Sequence, residues 1–448
     1  MIELNRKPKL GLVSVASHDE SGGQRAESFL QAAKEALAKA GIDAYVAETT
    51  VWTPAEALQA AEELNGAGID ALAVVHITWI MDSLSYILVN KVKVPTALWA
   101  VPYTETFALG CVQHMGATLK MQNIPYVPVY GHPDDEKLLH KLKTLAEAGY
   151  LINSLRCMNL ALLGPRQTWR VAGPQDMSME EWEFSHKFGT TILHLEMDEV
   201  TDRVAKISDA DAQKTLDMLA ARTGKAVAPA ENMLYAAKVY MALHEIMKLN
   251  QLEGVAAECY PKFDGLTNLT ASWMADEGKV IETEGDIAHV MLRQAMNQCH
   301  GDAPSILGEA GSFDPVTDVI AVSHGGSSAT AVTEDISQVQ VSPSGEIGTY
   351  VGTPVKAMPV VTVANLTGQK GNYQMLIAKA ETVPVSQEEW DDAGRRLLVK
   401  LRFKKNAGEV MDIFMNEGID HHLVIREGDC TDTLAMMCDF LGIKKIEL

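Results

Sequence analysis

The chain has 448 residues and a formal net charge of −21 at pH 7. One hydrophobic core rarely serves a chain of this length, so the sequence predicts two or three domains. The acidic excess excludes nucleic acid and anionic membrane surfaces as main partners, because both would be repelled over most of the protein surface. Hydrophobic residues make up 47% and charged residues 22%, which is typical of a soluble globular enzyme.

No targeting signal or membrane span is apparent in the sequence. Residues 1–8 are polar, and no apolar stretch approaches the length needed to cross a bilayer. We therefore expect a cytoplasmic protein with no membrane partner. Its six cysteines are scattered without a Cys-x-x-Cys pair, so the sequence indicates neither a zinc ribbon nor a disulfide framework.

The first domain is predicted at 1–156 from a regular alternation of strand-like and helical patterns. It begins with a strand at 9–16 and an Ala-rich helix at 26–40, and its last strand covers 126–130. Such alternation predicts a doubly wound parallel sheet. The loop after the first strand lacks a Gly-x-Gly-x-x-Gly turn, so the sequence gives little support to dinucleotide binding.

A second α/β domain is predicted at 157–311, also with a doubly wound parallel sheet. Within it, the apolar run 254–257 predicts a buried strand that ends at Glu258. A second short strand at 280–281 leads to Glu284 and Asp286. Because ligands bind at the carboxyl ends of strands in such sheets, these acids predict a binding site.

Asp286 also has a purely structural interpretation. It comes directly before the apolar-periodic run that starts at Ile287, which is the position of a helix N-cap. Taken alone, Asp286 is better explained as a cap than as a ligand. Taken together with Glu258 and a distant His-His pair, it also fits a site for a metal that prefers oxygen ligands.

The pattern changes to short alternating runs from about residue 312. This predicts a third, mostly β and barrel-like domain at 312–448, which carries the pair His421-His422. Adjacent residues in a strand point to opposite faces, so we expect only one of these histidines to reach a site with Glu258 and Asp286. The predicted fold is therefore two doubly wound α/β domains followed by a β domain.

Two carboxylates and one imidazole indicate a catalytic rather than a structural metal site. This set suits Mn²⁺ and tolerates Mg²⁺ or Co²⁺, whereas a structural zinc site would be richer in sulfur. Such a metal can hold two neighbouring oxygens of an open-chain sugar and polarise its carbonyl group. Proton transfer between C1 and C2 of the sugar is then feasible.

Four short motifs, in this order along the chain, resemble the L-fucose isomerase and L-arabinose isomerase superfamily of metal-dependent aldose–ketose isomerases. The resemblance spans the whole chain, and one residue departs from it: Tyr260 stands where many relatives have Trp. The motifs are Glu258-Cys259-Tyr260-Pro261, Glu284-Gly285-Asp286, His324-Gly325-Gly326, and the ending from His421-His422 through Gly428-Asp429 to Leu441-Gly442-Ile443.

The resemblance implies an ene-diol mechanism and a homo-oligomer, a hexamer or dimer of trimers, with the active site between subunits. By this resemblance Glu258 and Asp286 are metal ligands and the acid/base pair. His422 is the third ligand, with His421 as its alternative, and Glu284 is the alternative to Asp286. The expected substrate contacts are His324, Arg25, Tyr260 and Lys262.

The sequence leaves the sugar open: a hexose, a pentose, or a modified hexose such as sulfoquinovose, a sulfonated glucose that some relatives isomerise. A sulfonated substrate requires a local cationic pocket, for which Arg25, Arg166 and Lys262 are the candidates. Two other functions are considered. One is a sugar-binding sensor without catalysis, and the other is a metal-dependent sugar lyase or aldolase.

Overall fold

The computed structural model describes residues 6–164, 180–257, 263–299, 301, 303–325 and 328–448. These residues form two compact units. The first contains the described residues up to Ser154 together with Asp432–Gly442, and the second contains those from Leu155 to Thr431 together with Ile443–Leu448. No helix among them is both long enough and apolar enough to span a bilayer.

The first unit alternates strands and helices along the chain, as predicted. In order they are β1 (Lys9–Val15), α1 (Ala26–Lys39), β2 (Asp43–Val46), α2 (Pro54–Gly66), β3 (Ala71–His76), α3 (Asp82–Val92), β4 (Thr96–Ala100), α4 (Ala108–Met121), β5 (Val127–Tyr130) and α5 (Glu136–Cys157). The strands pair in parallel in the order β2-β1-β3-β4-β5. The winding direction therefore changes between β1 and β3, which confirms a parallel sheet of the doubly wound type.

Local sequence explains these elements. Every residue of β3 and β4 is buried, as expected for central strands that helices cover on both faces. Helix α2 begins with a capping box, in which the Thr53 side chain accepts from the Glu56 N–H and the Glu56 carboxylate accepts from the Thr53 N–H. Pro54 occupies the first turn, where its missing N–H costs nothing.

His76, at the end of β3, is a core histidine. It is 0% exposed; its Nδ1 lies 3.1 Å from the Val74 carbonyl and its Nε2 lies 2.8 Å from the Ser85 hydroxyl. A neutral imidazole satisfies both contacts, with Nδ1–H donating to the carbonyl and Nε2 accepting from the hydroxyl. Burial lowers the pKa of His76 to about 4.

This burial predicts a loss of stability in mild acid. Above the unfolded pKa of about 6.5 the His76 imidazole is neutral in both the folded and the unfolded state, so it adds no pH dependence to the free energy of unfolding. Between that pH and about 4, the imidazole gains a proton only in the unfolded state. The free energy of unfolding should therefore fall by about 3 kcal/mol across this window because of His76. Urea unfolding at four pH values from 7.5 to about 4.5 measures the slope, which His76→Gln should flatten. The matched control is exposed His132→Gln, and equal slopes for wild type and His76→Gln would contradict the prediction.

The N-terminal part of the second unit holds the second parallel sheet. Its elements are β6 (Asn159–Leu163), α6 (Glu181–Phe188), β7 (Thr191–Leu195), α7 (Met197–Val204), α8 (Asp209–Leu219), β8 (Lys225–Ala226), α9 (Ala230–Asn250), β9 (Gly254–Ala257), α10 (Asn268–Ala275), β10 (Val280–Glu282) and α11 (Ile287–Asn297). The parallel order is β10-β9-β6-β7. The strands predicted at 254–257 and 280–281 are thus neighbours in one sheet.

The rest of the second unit is mostly antiparallel, as predicted. Its elements are β11 (Ile306–Asp314), β12 (Val319–His324), β13 (Gln340–Ser344), β14 (Gly348–Gly352), β15 (Met358–Gln369), β16 (Asn372–Thr382), α12 (Gln387–Asp392), β17 (Leu397–Phe403), α13 (Ala407–Glu417) and β18 (His422–Glu427). The antiparallel order is β15-β18-β11-β12-β17-β16, and β15 also pairs with β16. A small sheet, β14-β13-β8, is separate.

The predicted boundary between residues 311 and 312 falls inside β11. Ser312 and Phe313 continue the pairing of this strand with β12 across a bulge that follows Ala310. The sequence pattern breaks at Gly311, but the hydrogen-bonded ladder does not, because a bulge absorbs the extra residue. The antiparallel sheet therefore starts earlier in the chain than the pattern indicates.

The C-terminal residues are divided between the two units. Helix α14 (Thr431–Leu441) supplies most of the C-terminal part of the first unit, where the Thr433 hydroxyl donates to Glu147 at 2.9 Å and Met436 and Phe440 pack on the core. Strand β19 (Lys444–Glu447) pairs in parallel with β16 in the second unit. The sequence grouped α14 with 312–448, because packing against residues near 147 leaves no local pattern in this helix.

Candidate metal centre

The candidate centre begins where β10 ends and α11 starts, within the second unit. Glu282 of β10 pairs with Ala256 of β9, so the carboxyl ends of the two strands lie side by side, as predicted. The chain then turns through Gly285 at φ 82°, a left-handed conformation that glycine adopts without steric cost. This turn brings Asp286 to the N-terminus of α11.

Asp286 is the N-cap of α11, and it is also more than a cap. It is fully buried, and its Oδ1 accepts from the His289 backbone N–H at 3.1 Å. Its Oδ2 lies 2.5 Å from His289 Nδ1 and 2.7 Å from His422 Nδ1. Although burial alone would raise the pKa of Asp286, the two imidazoles hold this pKa far below its usual range. Asp286 is therefore a buried carboxylate that two histidines satisfy.

His422 connects this carboxylate to the antiparallel sheet. It is fully buried at the start of β18, where it pairs with Glu309 of β11. Its Nδ1 faces Asp286, and its Nε2 lies 3.5 Å from Glu284 Oε2 and 3.9 Å from Glu309 Oε1. A hydrogen bond on one ring nitrogen sets the role of the other, so Nε2 is the atom that His422 presents to the acids.

Among the described residues, two groups of side chains offer enough ligand atoms to hold a metal ion. One is Glu284, Glu309, His421 and His422; the other is Asp286, His289 and His422. In each group the ligand atoms all lie within 4.8 Å of one another. The second group is fully buried, whereas Glu284 and Glu309 have side-chain exposures of 20% and 40%. The first group is thus the one with access to solvent.

The carboxylates of the first group are ionised more readily than usual. Burial would raise the pKa of Glu284, but the hydrogen bond from His422 and the nearby imidazoles lower it overall. A hydrogen bond from His421, whose Nε2 is 3.4 Å away, lowers the pKa of Glu309 against its burial. The carboxylates of Glu284 and Glu309 therefore carry the negative charge that binds a cation.

A third acid and a third histidine lie beside this group. Glu282 is buried, and its Oε2 accepts from the Glu284 N–H at 2.8 Å. Burial, with the charge of Glu284, raises the pKa of Glu282 to about 7. His324 Nε2 lies 3.8 Å from Glu284 and 3.9 Å from Glu282, and burial lowers the pKa of His324. The region therefore concentrates titratable groups with shifted pKa values, as functional sites do.

Asn365 of β15 supports the same region from the neighbouring strand. Its Nδ2 donates to the His422 carbonyl at 2.7 Å and to Asp420 Oδ1 at 2.6 Å. Asp420 in turn accepts from the His422 backbone N–H at 3.0 Å. These bonds anchor the backbone of His422 at the start of β18.

The predicted site residues have different outcomes. Asp286, Glu284, His324, His421 and His422 come together in this centre. Glu258, Tyr260 and Lys262 lie outside the described residues, and so does Arg166.

Arg25 belongs to the first unit, at a cavity there. Its guanidinium lies 2.5 Å from Glu105 and 4.4 Å from the Tyr103 ring centroid. The cavity has a volume of about 480 Å³, and Arg25, Tyr103 and His132 are among the residues that line it.

Of the two adjacent histidines only His422 belongs to the group that contains Asp286, as expected, whereas both reach the group of Glu284 and Glu309. His421 and His422 both belong to the first ligand group, and their ring centroids are 4.4 Å apart. Strand β18 starts at His422, so His421 lies outside the strand and side-chain alternation does not apply to it. The prediction from side-chain alternation took both His421 and His422 to lie within one strand, whereas only His422 does.

Sequence reasoning missed three residues of this region: Glu282, His289 and Glu309. His289 has a visible signal, since it stands three residues after the predicted cap Asp286, and side chains at that spacing meet on a helix. Glu282 stands two residues before Glu284 and could have been included with it. Glu309 has no such signal, because only the β11–β18 register brings it opposite His422.

Comparison with known proteins gives two curated relatives, while no family model matches the chain. Sulfoquinovose isomerase from Clostridium sp. (strain MSTE9) is 23% identical over 423 residues, covering 88% of this chain and 91% of that protein. Sulfoquinovose isomerase from Alkalicoccus urumqiensis is 19% identical over 394 residues, covering 85% of this chain and 86% of that protein. This similarity along most of each chain bears out the prediction of a sugar isomerase.

Among solved structures, an ABC transporter solute-binding protein from Burkholderia multivorans covers 65% of this chain at 14% identity, with a TM-score of 0.19. Another from Actinobacillus succinogenes 130z also covers 65%, at 15% identity and a TM-score of 0.19. Likeness at this level carries no conclusion about fold or function. The resemblance to the L-fucose and L-arabinose isomerase superfamily stays a prediction.

Proposed function

We propose that this chain is a metal-dependent isomerase that interconverts sulfoquinovose and the corresponding ketose. The observation that carries the proposal is the group Glu284, Glu309, His421 and His422, whose ligand atoms all lie within 4.8 Å of one another. The two sulfoquinovose isomerases, which match 88% and 85% of this chain, support the choice of substrate. In the aldose-to-ketose direction, C1 is reduced and C2 is oxidised within one molecule.

The donor set fits a divalent cation. It offers two carboxylates and two imidazoles, a combination that suits Mn²⁺ and also accepts Mg²⁺ or Co²⁺. His422 is oriented for this purpose, because its Nδ1–H donates to Asp286 at 2.7 Å and its Nε2 is directed towards Glu284. Binding of a cation at Nε2 would displace the proton that this nitrogen carries when His422 is charged.

In this proposal Glu284, Glu309, His421 and His422 hold the metal, and Asp286 orients His422. When bound, the metal supplies Lewis acidity at a sugar carbonyl and draws two neighbouring sugar oxygens together. His324, beside Glu284, is in position to contact a sugar hydroxyl at the same point. Glu258 is retained as a further ligand, as the resemblance implies.

The proton transfer is assigned to a carboxylate of the chain. A general base removes the proton from C2, the electron pair forms the C1–C2 double bond, and the C1 carbonyl oxygen gains a proton to give the ene-diol. The C2 hydroxyl then loses its proton, the C2 carbonyl forms, and a proton is added to C1. We assign this base to Glu258, the residue that follows β9 (Gly254–Ala257). Asp286 is less suited to move protons, because His289 and His422 engage its carboxylate oxygens.

The test is an isomerase assay with controlled metal content. The EDTA-treated protein is given sulfoquinovose in deuterated water with and without Mn²⁺, and the products are followed by NMR. We expect ketose only with metal, with deuterium at its C1. Glucose, which has a hydroxyl where sulfoquinovose has a sulfonate, is the matched control and should react more slowly.

The other outcomes separate the remaining functions. Equal turnover with and without metal would overturn the metal-dependent mechanism. Sugar binding without turnover or deuterium exchange would favour a sensor, and three-carbon products would identify a lyase or aldolase. Sedimentation velocity of the same preparation would test the proposed homo-oligomer, for which a monomer is the contrary result.

A further inference from the structure

Two thiols lie at the ends of the elements that carry the candidate centre. Cys299 follows α11, whose first turn holds His289, and Cys430 follows β18, whose first residue is His422. Both cysteines belong to the second unit, and neither is in a disulfide bond. Cys430 is 6% exposed, and Cys299 is half-buried.

Backbone contacts hold the two cysteine segments against each other. Arg426, on β18, donates from Nη2 to the Cys299 carbonyl at 3.2 Å and to the Gly301 carbonyl at 2.8 Å. Thr362 Oγ1 accepts from the Cys430 N–H at 2.9 Å and donates to the Gly428 carbonyl at 2.9 Å. Arg426 and Thr362 are themselves paired across β15 and β18. The position of Cys299 relative to Cys430 is therefore fixed by four hydrogen bonds around them.

The side chains of the two cysteines also meet. The Cys299 thiol is within hydrogen-bonding reach of the Cys430 thiol, and this contact favours the ionised form of Cys430. This contact and the positive charge of Arg426 lower the pKa of Cys430 against the effect of burial. Cys430 is thus more readily ionised than an ordinary thiol, and a second thiol stands next to it.

We propose that Cys299 and Cys430 form a reversible disulfide when the protein encounters a peroxide. In the first step the Cys430 thiolate attacks a peroxide oxygen, the O–O bond breaks, and with one proton the products are a sulfenic acid at Cys430 and one water. In the second step the Cys299 sulfur attacks the sulfenic sulfur, the S–O bond breaks, and the thiol proton leaves with hydroxide as a second water. Two thiols and one hydrogen peroxide thus give one disulfide and two waters.

The bond joins the distal end of α11 to the distal end of β18. The opposite ends of these elements hold His289 and His422, so the bond constrains the framework of the centre without touching a ligand. Closing a loop as long as 299–430 constrains the unfolded chain strongly. We expect oxidation to raise the unfolding midpoint by about 5–10 °C, and dithiothreitol to reverse the rise.

The test uses the full chain, without metal or sugar, so its result is independent of the proposed isomerase activity. The protein is treated with hydrogen peroxide at a small molar excess, alkylated, digested without reductant and mapped by mass spectrometry. We expect a linked peptide pair containing Cys299 and Cys430 in wild type, together with the rise in the unfolding midpoint.

Variants and controls complete this test. Cys299→Ser should lose both the linked peptide and the rise, while Cys157→Ser, which changes an exposed thiol, should keep both. The wild-type peptide map alone decides the matter if Cys299→Ser does not fold. The proposal would be overturned if Cys299 and Cys430 stayed reduced while Cys157 was oxidised. A disulfide between any other pair of cysteines would also overturn it.

Discussion

Glu284→Gln is expected to lower kcat for sulfoquinovose by about 10²–10⁴-fold. Glu284 supplies one of the two carboxylates of the proposed ligand group, and an amide of the same size removes its charge. The substitution should also weaken Mn²⁺ binding, measured by titration calorimetry of the metal-free protein. The fold should persist, because the Glu284 side chain is 20% exposed and its backbone N–H keeps its bond to Glu282.

The matched control for this experiment is Glu388→Gln. Glu388 is an exposed residue of α12 in the same unit, so its change alters net charge equally without touching the centre. We expect wild-type kcat and Mn²⁺ affinity for this control. A Glu284→Gln protein that keeps most of its turnover and binds Mn²⁺ normally would contradict the assignment of Glu284 as a ligand.

Asp286→Ala is expected to lower the free energy of unfolding of the metal-free protein by about 3–5 kcal/mol. The substitution removes the N-cap of α11 and leaves His289 and His422, both fully buried, without the carboxylate that satisfies them. Breaking a buried charge pair by removing one partner costs much more than losing an exposed cap. Urea unfolding measures the change.

Asn406→Ala separates the capping contribution from that of the buried pair. Asn406 caps α13 in the same unit through an exposed side chain that accepts from the Glu409 N–H. Its removal should cost about 1 kcal/mol. If Asp286→Ala costs no more than this control, the histidines do not depend on Asp286, and its proposed role in orienting His422 fails.

Much of the fold followed from local patterns. Strands β3 and β4 are continuous apolar runs, and Thr53-Pro54 and Asp286 stand before helical periods, so their elements could be predicted from neighbouring residues alone. The parallel arrangement followed from the alternation of strands and helices. The pattern failed at Gly311, where a bulge continues β11 past a residue that normally interrupts a strand.

Part of the candidate site could also be predicted from the local sequence. Glu284 and Asp286 could be found because they end a strand and begin a helix, which are positions defined by the local chain. Glu309 could not, because its neighbour His422 is more than a hundred positions away and only the antiparallel register brings the two together. The joint contribution of His421 and His422 depended on where β18 begins. There Asn365 donates to the His422 carbonyl and Asp420 accepts from the His422 N–H.

The residues alone therefore predicted the class of chemistry, which is metal binding by carboxylates and imidazoles near the strand ends of an acidic α/β protein. These properties depend on composition and on contacts between residues close in sequence. Only the tertiary structure decided which atoms share the site, that Asp286 faces two histidines, and that Cys299 meets Cys430. The reason is physical, because strand register and buried pairing are set by contacts between distant segments that no local periodicity records.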